Sequence, residues 1–217
     1  MILPKKVEMI RGRRLPFRTP VFSIVNQRLR TIDFLRHFSD CLHWSLIETT
    51  EYGFLMKHYD DILELTTFGF NVTFGEWPLW LKYYLPAFPL RGKIVLDVGA
   101  GCGETVHFYL QKGAEKVIAV EPDPVAADHL RRNTKMNKWN VEIFEEKFAT
   151  KHLNLPHDFM KMDIEGHEAE LLNVPDSVTV KHCVIEVHSD ELSQRLIEKY
   201  MMKTLFKMAP GIAILGM

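Results

Sequence analysis

Two rhythms of apolar residues divide the chain near residue 90. Beyond it, short apolar runs alternate with stretches of helical periodicity. The runs KIVLDV (93–98), KVIAVE (116–121), NVEIFEE (140–146), DFMKMD (158–163) and VTVKHCVIEVH (178–188) predict strands. The first lacks polar alternation, as in a strand buried on both faces. Between them, four segments predict helices. ETVHFYLQKG (104–113) is ended by Gly113, and PVAADHLRRNTKMN (124–137) is opened by Pro124. HEAELLNV (167–174) follows, then SDELSQRLIEKYMMK (189–203) with Ser189 or Asp190 as N-cap. TLFKMA (204–209) and GIAILGM (211–217) predict a closing antiparallel pair around Pro210-Gly211. Strands alternating with helices imply an α/β fold over residues 91–217, a doubly wound, mainly parallel sheet of seven strands.

Residues 1–90 read as an N-terminal extension, mostly helical with a short strand or hairpin. Apolar residues at mixed three- and four-residue spacings predict two helices over 28–65. TTFGFNVTF (66–74) predicts the strand or hairpin, and EWPLWLKYYLPAFPL (76–90) a proline-punctuated connector. Eight aromatics fall between residues 68 and 88. They suit packing onto a core, since aromatics dominate buried area, or the lining of a substrate or adenine pocket.

Composition narrows the class. The chain has 217 residues, 47 % hydrophobic and 25 % charged, as in a globular protein. Its net charge of −1 hides nine Lys/Arg within residues 1–36, set against Glu8 and Asp33. Cys41, Cys102 and Cys183 are far apart and form no CxxC, which argues against a disulfide framework or structural zinc. No apolar run approaches the ~20 residues of a membrane span, and the first residues lack a signal-peptide core. The expectation is a cytoplasmic protein with no membrane partner. Nothing in the sequence sets its oligomeric state.

The loop leaving the first α/β strand, DVGAGCGE, carries Asp97, Gly99, Ala100, Gly101 and Gly103. Glycines let a backbone turn sharply and approach a ligand. The second strand ends in Glu121-Pro122, with Glu121 lying 24 residues after Asp97. A carboxylate there suits ribose hydroxyls, at the switch point where such sheets bind ligands. A dinucleotide site wants G-x-G-x-x-G, but here the spacing is G-x-G-x-G and Glu104 occupies the last position. An acid is poorly placed beside a diphosphate. A cationic sulfonium cofactor fits better, with Asp97 near its amino-acid portion.

The loop and Glu121 resemble motif I and the ribose-binding acid of class I S-adenosylmethionine-dependent methyltransferases, whose Rossmann-like sheets finish with an antiparallel strand. FMKMDIEGHEAELL (159–172) is similar to the K-x-D-x-E-G-H-E-x-x-x-L signature of the FkbM-type methyltransferases. Lys161, Asp163, Glu165, Gly166, His167, Glu168 and Leu172 match it in order, and VIEVH (184–188) resembles that family's next strand. The resemblance implies S-adenosylmethionine as cofactor and O-methylation of a hydroxyl on a small molecule or glycan. Asp163, at the end of the fourth strand, is expected near the transferred methyl group and in contact with the cofactor. Asp163 or His167 is the candidate base, with Glu165 and Glu168 as the groups that could orient it. Asp163, Glu186 and His188 could converge from adjacent strand ends, but no ligand spacing marks them, and no metal is assigned.

Three other functions compete. The basic N-terminal segment suits an RNA methyltransferase, although DIEG stands where many base N-methylating enzymes carry an NPPY-like turn. A non-catalytic cofactor-binding or scaffold protein would have no need of Asp97, Glu121 and Asp163 together. An NAD-binding oxidoreductase is disfavoured by the missing glycine.

Overall fold

A computed structural model describes residues 43–50, 53–178, 180 and 182–217. The basic segment 1–36, Cys41 and the start of the expected helical region lie outside the described residues. The chain forms two compact units, divided between Pro78 and Leu79.

The described part of the first unit opens with an antiparallel meander of β1 (Trp44–Thr49), β2 (Gly53–His58) and β3 (Asp61–Thr66). The helices expected over this stretch are therefore strands. Burial recurs at every second residue, Phe54, Met56 and His58 in β2 and Leu63 and Leu65 in β3, which is the period of a half-buried strand. Reading apolar spacings across the Tyr59-Asp60 hairpin turn blurred that period into a helical one. The segment expected as a hairpin, with the first part of the connector after it, is instead α1 (Thr67–Tyr83), and the connector proper is only 84–90. Thr66 Oγ1 accepts the Gly69 N–H at 3.0 Å and caps the first turn. Buried Phe70, Thr73 and Trp77 then follow a helical spacing.

The second unit contains a seven-stranded sheet in the order β6-β5-β4-β7-β8-β10-β9. Its strands are β4 (Ile94–Val98), β5 (Lys116–Val120), β6 (Val141–Phe144), β7 (Phe159–Met162), β8 (Cys183–Val187), β9 (Lys203–Ala209) and β10 (Ile212–Gly216). Strands β4 to β8 run parallel, and β10 is antiparallel to both β8 and β9. Helices α2 (Glu104–Gln111), α3 (Pro124–Asn137) and α4 (Asp190–Tyr200) alternate with the strands as expected. Asp123 caps α3, with Pro124 opening it, and Ser189 caps α4.

Two expected elements are shorter. HEAELLNV forms only a 3-10 turn, Glu168–Asn173, because Val174 is already extended and Pro175 cannot continue a helix. The strand expected from residue 178 begins at Cys183, after a turn closed by Val178 N–H to Pro175 O and a left-handed His182.

Leu96, Val98, Ile118, Val120, Met160, Met162, Ile185 and Val187 form the centre of the core. At about 1.5–3 kcal/mol for each fully buried aliphatic side chain, burial on both faces of β4, β5, β7 and β8 makes these strands a rigid platform. No helix among the described residues is long and apolar enough to cross a membrane.

Candidate functional site

The strand order reverses at β4. From it the chain runs outward through β5 and β6, then returns to β7 on the other side. Loops leaving β4 and β7 therefore diverge and open a crevice beyond their carboxyl ends, where parallel sheets of this type bind ligands. Asp97, Glu121, Asp163, Glu186 and His188 all lie at or near these strand ends.

The β4 loop turns through three left-handed glycines, Gly99, Gly101 and Gly103, with φ of 79°, 56° and 98°. At Gly99 the turn also demands close approach, because a Cβ there would meet Asp163 O at 1.8 Å. Val120 O accepts the Gly99 and Ala100 N–H groups at 2.9 and 3.3 Å. Glu121 completes the cradle. Its Oε2 accepts the Gly101 N–H and its Oε1 the Asp123 N–H, each at 2.8 Å. These bonds fix the carboxylate and leave each oxygen a further lone pair. Burial pushes the Glu121 carboxyl above its usual range, against those two bonds. Pro122 is exposed beside it.

Asp97 is not at the surface of this crevice. It is fully buried, accepts from Thr105 Oγ1 at 2.6 Å, and lies 3.3 Å from the ammonium of Lys161, itself 2 % exposed. Lys161 also donates to Gly99 O at 2.8 Å, tying β7 to the glycine loop. Burial pushes the Asp97 carboxyl up, with Lys161 and Thr105 opposing it. Burial works against the Lys161 charge, but Asp97 and Asp163 outweigh it and hold the ammonium above the ordinary lysine range. Glu104, at the start of α2, is buried next to the loop, and burial raises its carboxyl to about 7.

The segment DIEGHE explains its own charge. Asp163 N–H bonds Val98 O at 3.0 Å, and the chain then turns through left-handed Glu165 and Gly166. Glu168 is fully buried and closes the turn, its Oε1 accepting from Ile164 N–H at 3.4 Å and Gly166 N–H at 3.0 Å. The same oxygen lies 3.2 Å from His188 Nδ1. Burial pushes Glu168 up, but His188 and the turn amides bring it below the usual range. His188 in turn is raised to about 9, first by that hydrogen bond. Glu186 accepts from Tyr84 OH at 2.6 Å and is raised to about 7 by burial, with the Asp163 charge adding.

The structure thus brings Asp163, Glu186 and His188 together, one donor atom of each lying within 4.8 Å of the others. It does not bring His167 into that group. His167 is exposed and contributes its backbone to the start of the 3-10 turn. Glu165 is 74 % exposed at its side chain and reaches His188 Nε2 at 3.4 Å. Sequence reasoning gave no role to Tyr84 or Lys161. Lys161 was signalled by its place in the FkbM-type motif and as a polar residue inside an otherwise apolar strand, MKM, but nothing local signalled Tyr84.

A solved structure, M. jannaschii TYW2 in complex with AdoMet, aligns over 79 % of this chain and 86 % of that one, with TM-score 0.51 and 18 % identity. The chain has the class I methyltransferase fold. No protein-family model matches it. Among curated proteins, this methyltransferase-fold chain is 43 % identical over 51 residues to the mouse electron transfer flavoprotein beta subunit lysine methyltransferase, covering 24 % of this chain and 20 % of the relative. It is 33 % identical over 87 residues to the Aquifex aeolicus ribosomal protein L11 methyltransferase, covering 40 % and 33 %. The chain therefore spans about a fifth to a third of the length of these relatives.

Proposed function

We propose that the chain is an S-adenosylmethionine-dependent methyltransferase that methylates a hydroxyl oxygen of a small molecule or glycan. The observation that carries the reading is the cradle of Gly99, Ala100, Gly101, Gly103 and Glu121, closed by Glu121 on the Gly101 amide and facing an acid-rich strand edge. Buried oxygens of Glu104 and Asp163 that lack hydrogen-bond partners among the described residues suit a cationic ligand better than a diphosphate.

In this reading Glu121 and Pro122 hold the nucleoside, Glu121 accepting ribose hydroxyls on its remaining lone pairs. Asp97 acts through Lys161, which holds the Gly99 carbonyl and so the loop. Bound S-adenosylmethionine supplies a methyl group activated by its sulfonium. Asp163 anchors the acceptor hydroxyl or takes its proton, and holding the oxygen in line supplies much of the rate. Glu165 stands at the mouth of the site, and His188 takes the place expected for His167. The oxygen acceptor rests on the FkbM-type motif Lys161 to Leu172.

The matched relatives are named for methylating proteins, and the basic segment keeps RNA as the second acceptor class. Incubation with methyl-labelled S-adenosylmethionine and fractionated cell extract separates these. Label in the small-molecule or glycan fraction supports the proposal. Label confined to protein or RNA overturns the acceptor, and RNA binding that falls steeply with salt would point to phosphate contacts.

A further inference from the structure

We propose that Asp163, Glu186 and His188 form a divalent-cation site at the carboxyl ends of β7 and β8. The site stands on its own geometry. Its role in catalysis, holding the acceptor oxygen, rests on the methyl-transfer reading above.

Each of the three groups is fastened on one side and left open on the other. Glu186 is 5 % exposed. Its Oε2 takes the Tyr84 hydroxyl, while its Oε1 faces His188 Nε2 at 3.7 Å, beyond hydrogen-bonding distance. Asp163 is placed by its backbone N–H on Val98 O, and its buried Oδ1 has no hydrogen-bond partner among the described residues. His188 is fastened by Glu168, whose ionised carboxylate can only accept, so Nδ1 keeps its proton and a metal would take Nε2, displacing the proton there. A carboxylate that accepts the second ring N–H of a histidine is the usual support of a metal-bound imidazole. The neighbouring ammonium, Lys161, is committed to Asp97 and Gly99 O. The two carboxylates and the imidazole nitrogen thus converge on one point, each ligand atom within 4.8 Å of the others.

Two carboxylates and one imidazole suit Mn²⁺ or a similar first-row ion, with Glu165 near enough to His188 Nε2 to act as a further ligand. Coordination sites not filled by protein remain for water and an acceptor oxygen. A Lewis acid there would make a hydroxyl a better nucleophile. The O–H proton leaves to solvent, the oxygen lone pair forms the new C–O bond, and the C–S electron pair stays on sulfur.

Mn²⁺ titrated into the full chain, with free ion followed by electron paramagnetic resonance, tests the site. One bound Mn²⁺ per chain is expected. Glu186→Gln and His188→Ala should each weaken it at least tenfold, and Glu168→Gln by about 10–100-fold without itself providing a ligand. Absence of binding, or binding unchanged in Glu186→Gln and His188→Ala, overturns the proposal. S-adenosylhomocysteine binding is measured on the same samples and confirms that each variant is folded. Retained S-adenosylhomocysteine binding without Mn²⁺ binding removes the metal site alone. Mn²⁺ binding without S-adenosylhomocysteine binding removes the methyltransferase reading alone.

Discussion

Lys161→Met leaves Asp97 fully buried without its countercharge. Removing one member of a buried pair costs about 3–5 kcal/mol, because the remaining charge is stranded. Protonation offers an escape. Asp97 already has a raised carboxyl in the parent, and loss of Lys161 removes the strongest force opposing that shift. Its folded pKa then lies well above its unfolded value of about 3.9, so the variant is penalised as pH rises above that value. Each pH unit costs about 1.4 kcal/mol until the folded pKa is reached, hence at most roughly 1.5 kcal/mol at pH 5 and about 4 kcal/mol at pH 7. The lost bond from Lys161 to Gly99 O adds about 1 kcal/mol at either pH. Urea unfolding followed by circular dichroism should show the variant's deficit growing from pH 5 to pH 7. Adding Asp97→Asn should remove that growth and recover part of the stability, a coupling readable from the double-mutant cycle. A deficit below about 1 kcal/mol at pH 7, or one equal at both pH values, would refute the pairing as the anchor of the glycine loop.

Glu104 gives a second pH signature. Its carboxyl is raised to about 7, so the folded state holds the proton more tightly and stability falls as pH rises from about 4.5 through 7, by about 3 kcal/mol. Glu104→Gln should abolish that loss, so the variant's urea midpoint should gain on the parent between pH 5 and pH 8. An unchanged difference contradicts the burial argument. Asp163→Asn should keep S-adenosylhomocysteine affinity within a few-fold while methyl transfer drops about 10²-fold or more, read as turnover. Exposed Glu170→Gln should leave both nearly unchanged, and normal turnover in Asp163→Asn would remove Asp163 from the chemistry.

The parallel unit was legible because β4, β5, β7 and β8 are short, largely apolar runs buried on both faces, and such runs announce themselves without partners. The meander was not. Its period-two signal is carried by few residues, Phe54, Met56, Leu63 and Leu65, across strands of six residues joined by a tight turn. The glycine loop and Glu121 were legible from spacing, since a turn at one strand end and an acid at the next are both local facts. The Asp163 group was legible only in part. Asp163, Glu186 and His188 were recognisable as strand-end residues, but which of His167 and His188 turns toward Asp163 depends on the Glu165-Gly166 backbone and the buried Glu168. Tyr84 reaches Glu186 across 102 residues of sequence, and no local pattern could have paired them.

Calorimetry with S-adenosylhomocysteine and, separately, NAD tests the central claim most directly. The account predicts binding of S-adenosylhomocysteine, weakened by roughly 1.5–3 kcal/mol in Glu121→Ala, the scale of hydrogen bonds to a charged group, and no binding of NAD. Micromolar affinity for NAD with none for S-adenosylhomocysteine would contradict it.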